Sequence, residues 1–167
     1  MLKKLTVTVC ACAMAIPAIA LGGPMEVPEY GGKLDDKKNH YLGFDVKGSG
    51  NDRKIKNVLV VNMTFDCQGG MNDGPQTGRL DKSIDVKANG SFDETITYKP
   101  TVMPPRGDGP EKIRYRLAGE LDGDKAAGIA RIELLGGPID CDSGKQDFKA
   151  KKPSPEPPDP KGGGAAR

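Results

Sequence analysis

The segment CDSGKQDFKA, which starts at Cys141, holds side chains from which a reactive site can be built. Asp140 and Asp142 flank the cysteine, and Ser143 follows. This composition suits three roles: a nucleophilic thiol, a metal-binding loop, or one end of a disulfide. Each role makes a different demand on the rest of the chain.

A catalytic cysteine needs a lowered thiol pKa and a general base beside it. The chain contains one histidine, His40, which precedes an aromatic residue at the start of a predicted strand. The sequence marks no base beside a serine or cysteine and no pair of carboxylates with a catalytic spacing. We therefore expect that the protein is not an enzyme and uses no cofactor, and a lone histidine gives no typical transition-metal site.

The same segment offers oxygen ligands through Asp140, Asp142 and Asp147, together with the Ser143 hydroxyl. Extracellular modules do bind calcium weakly through such groups, but this spacing differs from the EF-hand pattern and lacks its terminal bidentate glutamate. Asp and Ser also satisfy backbone donors in ordinary polar turns. We interpret the segment as a polar turn beside a disulfide and expect no bound metal, with a weak calcium site at the three aspartates as the alternative.

A second short motif, Arg106-Gly107-Asp108, lies in the proline-framed segment PPRGDGP. Integrin-type receptors bind such a triplet by placing its carboxylate on a metal ion and its guanidinium against acidic groups. Three-residue matches also arise by chance in a chain rich in Gly, Arg and Asp. The expected structure is an exposed, solvated turn, with receptor binding as the alternative.

Residues 1–20 have the features of a secretory signal peptide. Two lysines form a basic start, an apolar run follows, and Ala18-Ile19-Ala20 provides a small-x-small cleavage pattern. The apolar run is too short and too rich in small residues for a membrane span, so no transmembrane segment is expected after removal of the leader. The sequence predicts a secreted, periplasmic or cell-envelope protein.

Removal of the leader changes both the charge and the cysteine count. Two of the 25 basic side chains lie in the leader, which leaves 23 against 23 acidic ones, and a neutral chain lacks the positive surface that nucleic acid requires. Cys10 and Cys12 also leave, so Cys67 and Cys141 remain in an oxidising compartment. Two cysteines there indicate one disulfide, which makes Cys141 the end of a structural staple.

Between the leader and the C-terminal tail, apolar residues recur with a period of two in short runs, which is typical of strands. The segments VLVVNMTFDC, KIRYRLAGEL and AAGIARIELL alternate most clearly, and the last two flank the turn sequence DGDK, which predicts a hairpin. The expected inward faces are Leu59, Val61, Met63, Phe65 and Cys67 in the first strand, Ile113, Tyr115, Leu117, Gly119 and Leu121 in the second, and Ala126, Gly128, Ala130, Ile132 and Leu134 in the third.

The segment SIDVKANGSFDETITY predicts another hairpin, because Asn89-Gly90 suits a type I′ turn. HYLGFDV and KQDFKA add further strands. We predict that residues 39–150 form an all-β domain, an antiparallel two-sheet sandwich of about seven strands with one disulfide. Residues 21–38 are expected to be a flexible N-terminal segment, and the Pro- and Gly-rich residues 151–167 a disordered tail.

The ordered series NGSF, YRLAGELDGDKAAGIARI and CDSGKQDFKA resembles a pattern in secreted bacterial β-sandwich proteins of unassigned function. That pattern has a turn-Gly-Ser-Phe strand, a hairpin with glycine on both arms, then Cys-x-Ser/Thr-Gly and an aromatic-x-Ala strand, where Phe148 supplies the aromatic residue. The resemblance covers roughly residues 41–150. It implies a sandwich fold and an exported location, and it carries no catalytic residues.

These observations favour an exported, non-catalytic binding or structural module of the extracytoplasmic space, acting through loops or an exposed sheet face. Its expected partner is an unknown protein or an envelope polymer. A sugar platform would need exposed aromatic side chains, for which the chain offers Tyr30, Tyr41 and Tyr98 but no tryptophan. The alternatives are a secreted hydrolase and a β-sandwich inhibitor or antagonist acting through its loops.

Overall fold

The computed structural model describes residues 27–35, 37, 39–69, 72–80, 82–99 and 110–158, and these residues form an all-β structure. A short 3-10 turn at Gly50–Asp52 is the one helical element of this part, and no helix in it has the length and apolar character needed to cross a bilayer. The strands are β1 (Tyr30–Leu34), β2 (Tyr41–Lys47), β3 (Lys54–Cys67), β4 (Asn72–Leu80), β5 (Ile84–Asp85), β6 (Ser91–Tyr98), β7 (Lys112–Asp122), β8 (Lys125–Leu135), β9 (Cys141–Asp142) and β10 (Gln146–Lys151).

Six of these strands close into an antiparallel barrel in the order β10-β1-β2-β3-β9-β8 and back to β10. The predicted two-sheet sandwich is therefore wrong, although the all-β class is confirmed. The ring closes because β8 pairs with β7 along one edge, while its other edge pairs with β10 through residues 125–130 and with β9 through residues 133–134. No free edge of β8 remains at which a separate sheet could begin.

The other four strands extend the barrel wall in two places. β7 pairs along the whole of β8, and β6 pairs with β7. β4 and β5 both pair with β3, on the edge opposite β2. The β3–β4–β5 sheet and the β6–β7–β8 sheet contribute side chains to the same hydrophobic core, so they face one another across it.

Aromatic side chains fill the barrel interior. A ring of six strands is narrow enough for side chains alone to fill it. Phe44 stacks on Tyr30 with ring centroids 5.5 Å apart and meets Phe148 edge-on at 6.3 Å. Glycine permits the close approach of β1 to β10, since a Cβ on Gly32 would lie 1.9 Å from the carbonyl oxygen of Lys149. Ring closure thus depends on this small residue, as well as on the aromatic core.

Strand β3 changes phase in its middle. The sequence predicted one inward face from Leu59 to Cys67 at every second residue, but Val58 and Val60 face the main core before residue 62, and Met63 and Phe65 face it afterwards. Asn62 adopts a left-handed backbone conformation with φ 59°, and the pairing with β4 shifts register between Val60 and Met63. One extra residue at that point turns the even-numbered face into the odd-numbered one. The remaining face carries a small second cluster of Tyr41, Leu59 and Val61.

The hairpin of β7 and β8 is confirmed, with Asp122 opposite Lys125 and an unbroken register along both strands. The second predicted hairpin is wrong in its pairing, because β5 pairs with β3 and β6 pairs with β7. The chain does turn at Asn89-Gly90, but only Gly90 of the two has a positive φ. A type I′ turn requires positive φ at both central residues, so this connection is of another type.

Strands also occur in segments that were expected to lack them. β1 lies within residues 21–38 and pairs with both β2 and β10, so the folded domain starts earlier than the sequence indicated. After β10, the Ser154 hydroxyl lies 2.6 Å from the Tyr41 hydroxyl and the Ser154 amide donates to the carbonyl oxygen of Glu29. Residues 152–154 therefore contact the barrel, whereas residues 1–26 and 159–167 lie outside the described part.

Candidate functional site

An apolar cavity of about 170 Å³ lies between the β3–β4–β5 sheet and the β6–β7–β8 sheet. We refer to it as the Tyr115 cavity. Its lining residues come from five strands: Val58, Val60, Met63 and Phe65 from β3, Gln76, Thr77, Gly78, Arg79 and Leu80 from β4, Tyr98 from β6, Ile113 and Tyr115 from β7, and Ile132 and Leu134 from β8.

Strand pairing places these apolar side chains on one side of each sheet. Residues directly opposite one another on antiparallel strands point to the same face. The pairs that line the cavity are Val58 with Leu80 and Val60 with Gly78 in one sheet, and Ile113 with Leu134 and Tyr115 with Ile132 in the other. The phase change at Asn62 is what lets Met63 and Phe65 extend the same wall.

Gly78 leaves room in this wall. A Cβ on Gly78 would have no heavy atom within 4 Å, although the residue lies opposite the buried Val60. The exposed residues Gln76 and Thr77 and the half-buried Tyr98 also line the cavity, which therefore reaches the protein surface beside β4.

The Tyr115 hydroxyl is buried within this apolar wall and has almost no accessible surface of its own. Tyr115 is 2% exposed, and its hydroxyl has no hydrogen-bond partner among the described residues. Burial raises the pKa of this hydroxyl well above its ordinary value, and Tyr98 nearby adds to the effect, so the group stays neutral. Buried hydroxyls almost always have a partner, and an unsatisfied one costs about 1–3 kcal/mol.

The cavity side of both sheets carries no charged side chain among the lining residues. Arg79 contributes to the lining, but it lies opposite Leu59, which belongs to the second cluster on the other face of β3. Its guanidinium is therefore directed away from Tyr115. The lining therefore suits an apolar group and offers nothing to stabilise a buried charge.

The disulfide predicted between Cys67 and Cys141 is confirmed. The two residues face each other directly across β3 and β9, with Cα atoms 4.0 Å apart and sulfur atoms joined at 2.07 Å. Because the thiol of Cys141 is consumed in this bond, the nucleophile interpretation of the CDSGKQDFKA segment has no group to act through.

The polar residues after Cys141 hold the irregular connection between β9 and β10. Both carboxylate oxygens of Asp142 accept from Arg131, at 3.0 Å and 2.5 Å, and one of them also accepts from the Gly144 amide at 2.8 Å. The Ser143 hydroxyl accepts from the Ile132 amide at 2.9 Å. These bonds anchor the connection to β8, which is the local role that a polar turn beside a disulfide predicts.

The aspartates named as calcium ligands do not converge. Asp140 accepts from the Gly136 amide at 2.7 Å, Asp142 is engaged by Arg131, and the exposed Asp147 lies on β10. Within the described ranges, no group of three or more His, Cys, Asp and Glu side chains is arranged to hold a metal ion. The hydrogen bonds of this segment explain its composition without one.

Among the described residues, three carboxyl groups have a clearly shifted pKa, and all three shifts are downward. The hydrogen bond from Lys152 lowers the pKa of Glu29, the one from Arg116 lowers that of Asp93, and the one from Arg131 lowers that of Asp142. Each carboxylate is thereby held in its charged form by a cation. A general acid needs the opposite shift, so these groups act as structural ion pairs.

The other candidate residues from the sequence do not form a site among the described residues. Arg106-Gly107-Asp108 lies outside the described residues, and its interpretation stays a prediction. Tyr30 and Tyr41 are buried at 7% and 3% exposure, so neither contributes to a sugar platform. Sequence alternation did identify Tyr115 as inward-facing, but it missed the cavity. An inward tyrosine needs a hydrogen-bond partner, and that requirement was the signal that could have drawn attention to it.

Comparison with protein-family models, with curated protein sequences and with solved structures finds no match to this chain. The resemblance to secreted bacterial β-sandwich proteins therefore stays a prediction. The functional proposal therefore rests on the structure of the chain itself. The Tyr115 cavity, with its defined volume and lining, is the candidate site it uses.

Proposed function

We propose that this chain is an exported, non-catalytic binding module that receives an apolar group of its ligand in the Tyr115 cavity. The observation that carries the proposal is an apolar cavity of about 170 Å³ that reaches the protein surface beside β4. Binding sites of this kind combine an apolar lining with a few polar groups that fix the orientation of the ligand. Here the polar side chains are those of Gln76 and Thr77, which lie exposed at the mouth of the cavity.

The size of the cavity sets the size of the group and the strength of binding. A cavity of about 150 Å³ with a similar lining is known to take up benzene. Burying about six carbon atoms at about 0.8 kcal/mol each gives close to 5 kcal/mol, which corresponds to a Kd of about 0.2 mM. The module would hold a lone ring weakly, and a larger ligand would need further contacts outside the cavity to bind tightly.

The non-catalytic part of the proposal is supported by what the ionisable groups do. Both mature cysteines form the disulfide, and the carboxyl groups with shifted pKa values are paired with Lys152, Arg116 and Arg131. The exported location is inferred from the leader-like residues 1–20 and from the disulfide, since such bonds persist in oxidising compartments.

The test is a binding titration of the exported protein, purified without its leader, with benzene and ethylbenzene. Met63 lines the cavity, so the signal of its methyl group in a spectrum of ¹³C-methyl-labelled methionine should move on titration. Gly78→Leu places a side chain into the open space and should abolish this shift while the protein stays folded. Thr95→Leu, at an exposed position of β6 that does not line the cavity, is the matched control and should bind as the parent protein does.

Two results would contradict the proposed function. One is the absence of any response of the Met63 signal up to the solubility limit of both compounds. The other is equal binding by the parent protein and by a folded Gly78→Leu variant, because the ligand would then lie outside the Tyr115 cavity.

A further inference from the structure

Strand β6 has one edge that lacks a strand partner along its second half. Among the described residues, β6 pairs with β7 alone. Residues 85–87 lie along the first half of the other edge, where the Lys87 amide donates to the carbonyl oxygen of Ser91 at 2.9 Å. From Thr95 onward, no described strand lies beside it. An uncovered edge of this kind presents backbone donors and acceptors with which another strand can pair.

The carbonyl group of Ser91 shows which backbone groups point to this free edge. Along an antiparallel strand, successive residues direct their N–H and C=O groups alternately to the two sides. Ser91 points away from β7, because its carbonyl accepts from Lys87, and the pairing of β6 with β7 has no register shift. The backbone groups of Asp93, Thr95 and Thr97 therefore also point away from β7. Those of Thr95 and Thr97 have no hydrogen-bond partner at that edge among the described residues.

The inward-facing side chains are less covered beside this free edge than elsewhere on the same strands. Phe92 is buried at 2% exposure, whereas Ile96 and Tyr98, on the same face of β6, are half-buried. Strand β4 shows the same change, since Leu80 is buried and Gly78, two residues away on the same face, is exposed. Both strands contribute to the lining of the Tyr115 cavity, and their described residues do not pair with each other. The core is therefore least covered where the cavity opens between β4 and β6.

A peptide in an extended conformation matches both features. Its backbone can pair with the free N–H and C=O groups of β6, and every second side chain then points to the same face as Ile96 and Tyr98, toward the core. The cavity volume of about 170 Å³ has room for one large apolar side chain. The side chains of Thr95 and Thr97 lie on the opposite, exposed face, so the alternate residues of the peptide can be polar.

We infer that β6 and the Tyr115 cavity together bind an extended segment of a partner protein, which adds to the free edge of β6 as a strand and inserts one large apolar side chain into the cavity. The inference rests on the function proposed above and identifies the ligand as a peptide with alternating polar and apolar residues. A second copy of this chain that paired through its own β6 would leave the cavity empty, because Phe92 and Ile96 of that strand already pack in their own core.

The probe is the nonapeptide Lys-Thr-Val-Thr-Phe-Thr-Val-Thr-Lys with blocked ends, and its control has aspartate in place of the central phenylalanine. The Kd is measured from the methyl signal of Met63, and we expect the control to bind at least about tenfold more weakly, because it loses the burial of one large apolar side chain. Hydrogen exchange reports the strand addition. The amides of Thr95 and Thr97 should exchange more slowly in the complex, whereas the Ile96 amide, which already points to β7, should not change.

Variants of β6 and β4 separate strand addition from cavity binding. Thr97→Pro removes an outward amide proton and places a ring at the edge, a position at which strands tolerate proline. It should weaken peptide binding at least about tenfold relative to Thr97→Val, which keeps the amide, because the ladder of hydrogen bonds is interrupted. Both variants should take up benzene with the same Kd, which also shows that they are folded. Gly78→Leu fills the cavity and should lose both ligands.

The outcomes distinguish this inference from the proposed function. Benzene binding without peptide binding overturns the inference and leaves the Tyr115 cavity as a site for small apolar groups. Failure of both ligands removes both proposals. Equal peptide binding by Thr97→Pro and Thr97→Val, or unchanged exchange of the Thr95 and Thr97 amides in the parent protein at saturating peptide, also overturns the inference, and the second of these measurements does not depend on any variant.

Two other occupants of the free edge would be detected by the same measurements. Slower exchange of the Thr97 amide with rising protein concentration, together with dimerisation, would assign the edge to a second copy of the chain. Peptide binding that occurs only after replacement of Val102 and Met103 by serine would assign the site to residues 100–109 of the chain itself. Either result overturns the inference of a partner protein.

Discussion

Replacing Tyr115 by phenylalanine should stabilise the protein in the absence of ligand. A buried hydroxyl without a partner costs about 1–3 kcal/mol relative to its hydrated state. The Tyr115 hydroxyl is buried and unpartnered among the described residues, while the cavity beside it reaches the surface and has room for water. Transient hydration recovers part of the cost, so we expect a gain of about 1–2 kcal/mol, or about 4–8 °C in Tm.

The measurement is urea unfolding of the parent protein and the variant, followed by an intrinsic tyrosine signal or by circular dichroism. A gain in the midpoint at an unchanged slope reports stability alone. Tyr30→Phe provides a matched control, because the Tyr30 hydroxyl donates to the carbonyl oxygen of Gly123 at 2.8 Å. At Tyr30, the same chemical change should lower the free energy of unfolding by about 1 kcal/mol, so the two substitutions should change stability in opposite directions.

A loss of stability in Tyr115→Phe like the one expected for Tyr30→Phe would contradict this prediction. That result would mean that the Tyr115 hydroxyl has a hydrogen-bond partner in the folded protein. The size and apolar lining of the Tyr115 cavity would be unaffected by that result.

Two further predictions follow from the bonds that hold β9. Replacing both disulfide cysteines by alanine should lower the free energy of unfolding by about 4.5 kcal/mol, the chain-entropy value for a sequence separation of 74 residues, with benzene binding retained at low temperature. Arg131 lowers the pKa of Asp142 below its usual 3.8, so this carboxylate stabilises the fold above that pH and loses its effect as the pH falls through the folded-state pKa. Asp142→Asn should therefore destabilise at neutral pH, and its difference from the parent in urea unfolding should vanish in strong acid. The exposed Asp122→Asn, which should show little difference at either pH, is the control.

The hairpin of β7 and β8 could be predicted from the sequence because both of its determinants are local. Alternation runs without interruption from Ile113 to Leu121, and the turn residues follow directly. The disulfide was equally accessible, since only Cys67 and Cys141 remain after the leader. In both cases, the information lies in short-range spacing or in a simple count.

Barrel closure could not be predicted, because it depends on which strands meet across long sequence separations. The alternation of β8 is the same whether its second edge is free or paired with β9 and β10. Strand β4 was missed for a related reason. It contains Gly74 and Pro75, two residue types that are generally depleted in strands, and its pairing with β3 outweighs their low strand propensity. Tertiary pairing decided both features.

The candidate site depends on the same kind of irregularity. A strictly alternating β3 would have turned either Val58 and Val60 or Met63 and Phe65 away from Tyr115, and half of the apolar wall would be missing. Asn62, a residue that tolerates the left-handed conformation, supplies the one-residue shift that joins the two halves. The asparagine in the middle of this apolar strand therefore marks the point where the two halves of the cavity wall meet. Alternation on either side of Asn62 predicts the lining residues of β3 correctly once the shift is placed there.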